Sequence, residues 1–245
     1  MSNNNLYNLD TNPLIEKGAA GITAKNFLPN VFLWMFVALG ISALTTYLVT
    51  ESYLQYFVYA ADERARLTGL GFAAAFSPLA FVLVLRFGMN RLSFPVVAFI
   101  YVLFAAVMGV SIAVNIIHYT GTSVLGCFVS SSLLFAVMAI AGYTTSTDLT
   151  NFGSILMMFL IGIVIASVVN MFIGSSQLDY IISFIGVAVF VGLTAYDVQR
   201  LKRIGEGIEY GDASASKLVI MGALSLYLDF INLFLMLLRV FGSRR

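Results

Sequence analysis

Seven apolar stretches, each about as long as a bilayer's hydrocarbon core requires, leave this chain little choice of fold. A transmembrane helix needs about 20 largely apolar residues. Leu28–Thr50, Leu67–Phe87, Phe94–Ile117, Ser123–Tyr143, Phe152–Gly174, Leu178–Gln199 and Leu218–Phe241 all qualify. The breaks Gly88–Ser93, His118–Thr122, Thr144–Asn151 and Ser175–Gln177 are short. They force an up-and-down bundle in which sequence neighbours are also spatial neighbours. Two connections are longer: Glu51–Arg66, whose Tyr53, Tyr56 and Tyr59 suit a membrane interface, and Arg200–Lys217. Residues 1–26 are polar and charge-balanced and lack the basic-then-apolar order of a signal peptide. They are expected to form a tail ahead of a membrane domain spanning 27–245.

Composition agrees with the spans. The chain is 60% hydrophobic and 10% charged, against about 25% charged in a soluble domain. A net charge of +1 gives no field for nucleic acid, and none is expected as a partner. A single cysteine, Cys127, excludes an internal disulfide or cysteine cluster and reads as a packing residue. The one histidine, His118, ends an apolar run and reads as interfacial; a multi-histidine zinc site is impossible. No segment reads GxxxxGK[ST], so neither ATP nor another cofactor is expected.

Basic residues give the orientation. Lys17, Lys25, Arg86, Arg91, Arg200, Lys202, Arg203 and Lys217 fall on the N-terminal side. Arg64, Arg66, Arg239, Arg244 and Arg245 fall on the other. The excess predicts a cytoplasmic N-terminus in a plasma membrane. Small-residue stripes at i+4 spacing (Ala105, Gly109 and Ala113; Gly162, Ala166 and Asn170) predict close helix packing, with Asn115, Ser167 and Asn170 bonding between helices. Pro78 is expected to kink the second helix and free backbone carbonyls.

The chemistry concentrates in the last two spans. Asp197 sits in GVAVFVGLTAYDVQRLK and Asp229 in GALSLYLDFINLFLMLL. An ionised Asp at a helix centre costs roughly 2.5–3.5 kcal/mol on insertion scales, which makes each a functional candidate. Topology brings Asp197 to the same end as Arg86, and Asp229 lies about 18 Å into a helix that starts from that end. The sixth helix is expected to run on through Ile204 before Gly205 stops it, which brings the two carboxyls toward one level. Gly222, Ser225, Asp229 and Asn232 form a narrow polar stripe on an otherwise apolar helix, which therefore belongs at the centre with its stripe on a cavity. On the sixth helix, Gly186, Phe190 and Thr194 share the side of Asp197, and Gly186 admits a close neighbour. A purely structural role, with Asp197 salt-bridged to Arg200 or Arg86, competes with function. It suits Asp229 poorly, because no basic residue follows in its helix before Arg239.

The runs GLTAYDVQRLKRI, ALSLYLDFINLFLMLLRVFGSRR and AGYTTSTDLTNFGSILMMFLIGIVIASVVN together resemble the Bax inhibitor-1 family, especially its bacterial members. The resemblance extends from about Phe27 onward. It implies an all-α membrane protein with six helices surrounding a central seventh, and a bacterial inner-membrane location. It implies that Asp197 and Asp229 match the family's proton-sharing aspartate pair, and that Arg86 takes the place of a latching arginine. Family members are implicated in pH-dependent calcium leak, in suppression of cell death, and in modulating a membrane protease.

The expected function is therefore a pH-sensitive passive leak for calcium or another cation. Asp197 and Asp229 serve as sensor and weak, transient cation ligands, Arg86 as latch, and Ser225, Asn232 and Arg200 as support. Calcium takes roughly 6–8 oxygens; two aspartates supply at most four, which suits conduction better than storage. One alternative is a non-transporting regulator that binds other membrane proteins, such as a membrane protease. Another is an intramembrane aspartyl protease, but Leu226-Tyr227-Leu228 precede Asp229 where such proteases carry Gly-x-Gly. The expectation is of a protein that is not an enzyme.

Overall fold

The structure, a computed structural model, describes residues 24–61, 64–88, 91–208 and 214–244. Most of the polar tail, with Lys17, lies outside them, as does Arg245. Seven helices are long and apolar enough to cross a membrane. They are α1 (Ala24–Leu48), α2 (Gly69–Gly88), α3 (Phe94–Ile116), α4 (Gly121–Thr144), α5 (Thr150–Ile173), α6 (Ser176–Glu206) and α7 (Ala215–Phe241). A π-helical turn, Val49–Tyr53, and a further helical turn, Leu54–Phe57, prolong α1.

One element adds to the helical expectation. The connection after α1 forms a small antiparallel hairpin, β1 (Val58–Ala61) and β2 (Arg64–Leu67), with Val58 opposite Leu67. A segment too polar to stay in hydrocarbon still has to satisfy its backbone near the membrane edge, and pairing with itself does so.

The last helix is the most enclosed. In α7, 67% of the apolar window is buried, against 18% in α2 and 17% in α5. It packs directly on α1, α3, α4 and α6, whereas α2 rests on α3 and α5 on α6. Both outer helices face α7 across a cavity, α2 through Val82 and Arg86 and α5 through Met157 and Leu160. The ring around α7 is thus tight on one side and stands off on the other.

In lipid, helices associate through close packing and hydrogen bonds rather than apolar burial. A Cβ on Gly109 would overlap the Thr45 hydroxyl and the Ser42 carbonyl, so α3 reaches α1 only through this glycine. The close approach lets Thr46 Oγ1 donate to Gly109 O at 2.8 Å. Ser42 Oγ lies 2.7 Å from both Ala105 O and the Tyr227 hydroxyl, joining α1, α3 and α7 in one buried network. Ser42 has one proton to give to a carbonyl, so the Tyr227 hydroxyl is the donor between them. Tyr227→Phe is expected to cost about 1 kcal/mol, seen as a lower melting temperature in detergent. An unchanged melt would remove this network from the stability account.

Several packing expectations turn out differently. Gly162 is exposed, and a Cβ on it would meet nothing within 4 Å, whereas α5 instead buries Gly153, Leu156 and Ile163. Asn115 Nδ2 donates to Ser111 O in its own helix, and Asn170 Oδ1 accepts from Ser175 N in the following turn. Ser167 makes no side-chain hydrogen bond among the described residues. Short polar side chains find local backbone partners first, which spares hydrocarbon an unpaired group without a second helix. Pro78 leaves α2 continuous; the Ala74 carbonyl, which its missing N–H would have bonded, accepts from Ser77 Oγ at 3.2 Å. Cys127 is buried and His118 exposed.

Candidate functional site

The sixth helix does not stop at Gly205. It continues to Glu206, and Gly207 takes the C-cap. Asp197 consequently sits about two and a half turns inside its end, deep enough to meet the middle of α7. Gly186 lets the helices close, since a Cβ there would lie 3.0 Å from Met236 Sδ. Asp197 and Asp229 are both buried, at 7% and 6% exposure, and line one cavity.

Their surroundings are unequal. Ser225 Oγ donates to Asp197 Oδ2. Among the described residues, Asp229 Oδ2 is buried with no hydrogen-bond partner. A buried polar oxygen without a donor costs on the order of 1–3 kcal/mol, and a proton or a cation would relieve it. The pair lines a cavity of about 390 Å³. The whole expected stripe of α7 (Gly222, Ser225, Asp229 and Asn232) faces it, together with Arg86 and Arg200. The side-chain oxygens of Asp197, Asp229, Ser225 and Asn232 are the donor set, at most about six and so at the lower end of what a calcium cage requires. Among the described residues there is no cluster of three or more His, Cys, Asp or Glu side chains suited to a resident metal.

The arginines do not close the site. Neither Arg86 nor Arg200 makes an ion pair with Asp197, although all three line the same cavity. Both are exposed at the end of the bundle where the cavity opens. A simple structural salt bridge therefore does not account for Asp197.

A further clamp lies beside the site and has no sequence motif of its own. Gln199 Nε2 donates to Thr147 O at 2.7 Å, and its Oε1 accepts from Leu149 N at 2.9 Å. Arg203 adds an ion pair with Asp148 at 2.8 Å. These bonds fix the α4–α5 connection to α6 two residues beyond Asp197; proximity to that aspartate is the one sequence signal for Gln199. Asp148 accepts from the hydroxyl and N–H of Thr150, and these bonds, with Arg203, hold its carboxyl down to about 2. A depressed carboxylate stabilises the fold above its ordinary value of about 4. That contribution should be lost only as pH falls toward 2. Carbon-detected titration should place the Asp148 midpoint near there and show Thr150→Val raising it; an ordinary midpoint would remove the clamp's electrostatic part.

Comparison with known proteins agrees with this architecture. The family model described as inhibitor of apoptosis-promoting Bax1 matches residues 24–245. Inner membrane protein YbhL of Escherichia coli (strain K12) is 43% identical over 223 residues, covering 90% of this chain and 93% of that protein. Uncharacterized protein RP147 of Rickettsia prowazekii (strain Madrid E) is 39% identical, covering 90% and 91%. Uncharacterized membrane protein SpyM3_0260 of Streptococcus pyogenes is 34% identical, covering 89% and 93%. With seven membrane-length helices, a central α7 and these relatives, the chain belongs to the Bax inhibitor-1 family and is an integral multipass inner membrane protein.

Proposed function

We propose that this protein is a pH-sensitive passive cation leak, with calcium as the favoured cargo and the Asp197–Asp229 pair as its gate. The observation that carries the reading is two buried carboxyls, one with an unpartnered oxygen, lining a cavity that α2 and α5 wall without packing closely on α7. With one shared proton the pair keeps a negative charge, which attracts Arg86 and Arg200 at the mouth. As pH falls a second proton neutralises the pair, and the attraction disappears. Because α2 is held by α3 rather than by α7, it can swing as a body. It closes the mouth when Arg86 is drawn inward and opens it when released. The N-terminus lies on the cytoplasmic side in this scheme, so the mouth faces the cytoplasm. No covalent chemistry is assigned, and Leu226 and Tyr227, both buried before Asp229, leave no backbone opening for a peptide substrate.

Calcium flux into liposomes across about pH 5–8 tests the proposal with Asp197→Asn, Asp229→Asn and Arg86→Ala. If all three variants keep the parental pH profile, these residues are structural and the mechanism is wrong. A second reading, a regulator that binds another membrane protein such as a membrane protease, is favoured by one observation. Gly162 and the half-buried Ala166 lie on α5 with Gly162 facing no neighbour, a surface on which a foreign helix would fit. Gly162→Leu separates the two, because it leaves a leak intact and disrupts a partner.

A further inference from the structure

A second cavity, larger than the aspartate site at about 680 Å³, lies at the opposite end of the bundle on a different face of α7. It separates α1 and α3 from α4, and its walls are apolar: Leu39 and Ala43, Ile112, Leu125 and Phe128, with Phe234 as floor. Its volume falls in the range of about 300–1,000 Å³ typical of small-ligand sites, which also combine apolar walls with a few placed polar groups. Leu125 is 65% exposed and Tyr47, on the opposite wall, 63%. Within membrane-spanning helices such exposure faces hydrocarbon, so the groove opens sideways into the bilayer.

The rim carries opposite charges. The π-helical turn Val49–Tyr53 adds a residue to the helical path of α1, as such turns do at functional sites, and Thr50 and Glu51 of that turn line the groove. Tyr119 closes the same end, its ring 6.0 Å from the Arg244 guanidinium. Glu51 and Arg244 are both exposed. We infer that the groove holds one acyl chain of an aminophospholipid from the surrounding leaflet, its ammonium toward Glu51 and its phosphate toward Arg244. An acyl chain gains little by leaving lipid for an equally apolar groove, so selectivity comes from the headgroup. An ammonium with N–H donors suits a carboxylate at the rim. A quaternary ammonium offers none, and a headgroup with net negative charge would meet Glu51 unfavourably. The inference does not depend on whether the aspartate pair conducts.

The test is native mass spectrometry of the full chain extracted from bilayers of equimolar phosphatidylethanolamine, phosphatidylcholine and phosphatidylglycerol. One retained phosphatidylethanolamine per chain is expected, with a two- to five-fold preference, about what an exposed charge pair supports. Ala43→Trp and Leu125→Trp fill the groove from opposite walls, at positions that face lipid rather than core. Each should abolish the retained lipid while elution volume and helical content stay parental. Glu51→Gln should keep a lipid and lose the headgroup preference. Retention of phosphatidylglycerol above phosphatidylethanolamine, equal retention of all three by the parental chain, or an undiminished adduct in a correctly folded tryptophan variant would overturn the assignment. So would a lipid-free dimer in place of the adduct.

Discussion

Asp197→Asn is expected to raise calcium leak at about pH 8 by tenfold or more and to leave almost no response as pH is lowered. The amide keeps the size of the side chain and an oxygen to accept from Ser225 but removes the charge that the arginines at the mouth can grip. A hydrogen bond to a charged group contributes about 1.5–3 kcal/mol, and each 1.4 kcal/mol is a factor of ten in the closed-to-open ratio. The absence of an ion pair in the structure bears on the choice of control. Because Arg86 and Arg200 both line the cavity with Asp197, Arg86→Ala alone should give a smaller rise than Asp197→Asn, and the double arginine variant should match it. Asp229→Asn has the opposite sign at mildly acidic pH. The remaining Asp197 has no second carboxyl beside it in the cavity, should keep its charge for longer, and the leak should open only at lower pH. Proteoliposome flux measurements on the four variants separate these outcomes.

Gly142→Leu is expected to produce the largest loss of stability in the molecule. A Cβ at Gly142 would overlap the carbonyl of Ala195 and lie 2.8 Å from its Cα. Ala195 is backbone in the middle of α6, so no side chain can rotate aside. The helices must separate along their length, and overpacking of this kind costs about 3 kcal/mol or more. Asp197 lies two residues from Ala195, so parting α4 from α6 should also disturb the carboxyl pair. Gly162→Leu provides the comparison, since its Cβ meets nothing within 4 Å. Denaturation in mixed micelles should show a large shift for the first and almost none for the second. Equal shifts would mean that glycine content, rather than contact, sets the packing.

That pair of glycines also marks where sequence reading stops. Membrane spans are legible because insertion depends on the segment alone: some 20 apolar residues suffice whatever surrounds them. The aspartates are legible for the same reason, since a carboxyl in hydrocarbon is costly in any context. The α7 stripe was readable because Ser225, Asp229 and Asn232 stand out against leucine and phenylalanine, and all three line the cavity. A small-residue stripe carries no such signal. Lipid and helix interiors are equally apolar, so Gly109, packed hard on α1, and Gly162, facing no neighbour, look alike in one dimension. Hydrogen-bond partners are hidden too. Asn115 reads as interhelical until its own backbone is found 2.8 Å away. Gln199, which ties down the α4–α5 connection, becomes visible only when the chain returns beside Asp197.

The central claim is that this chain by itself lets a cation cross a bilayer and that protons control the passage. Purified protein in liposomes of pure lipid, with a calcium-sensitive dye trapped inside, addresses it without any partner present. The account predicts dye fluorescence that rises on addition of external calcium, faster as the medium is stepped from about pH 8 to about pH 6, and with a slope that Asp197→Asn removes. Liposomes that stay dark at every pH, while the same preparation keeps its helical content and elutes as a folded protein, would contradict it.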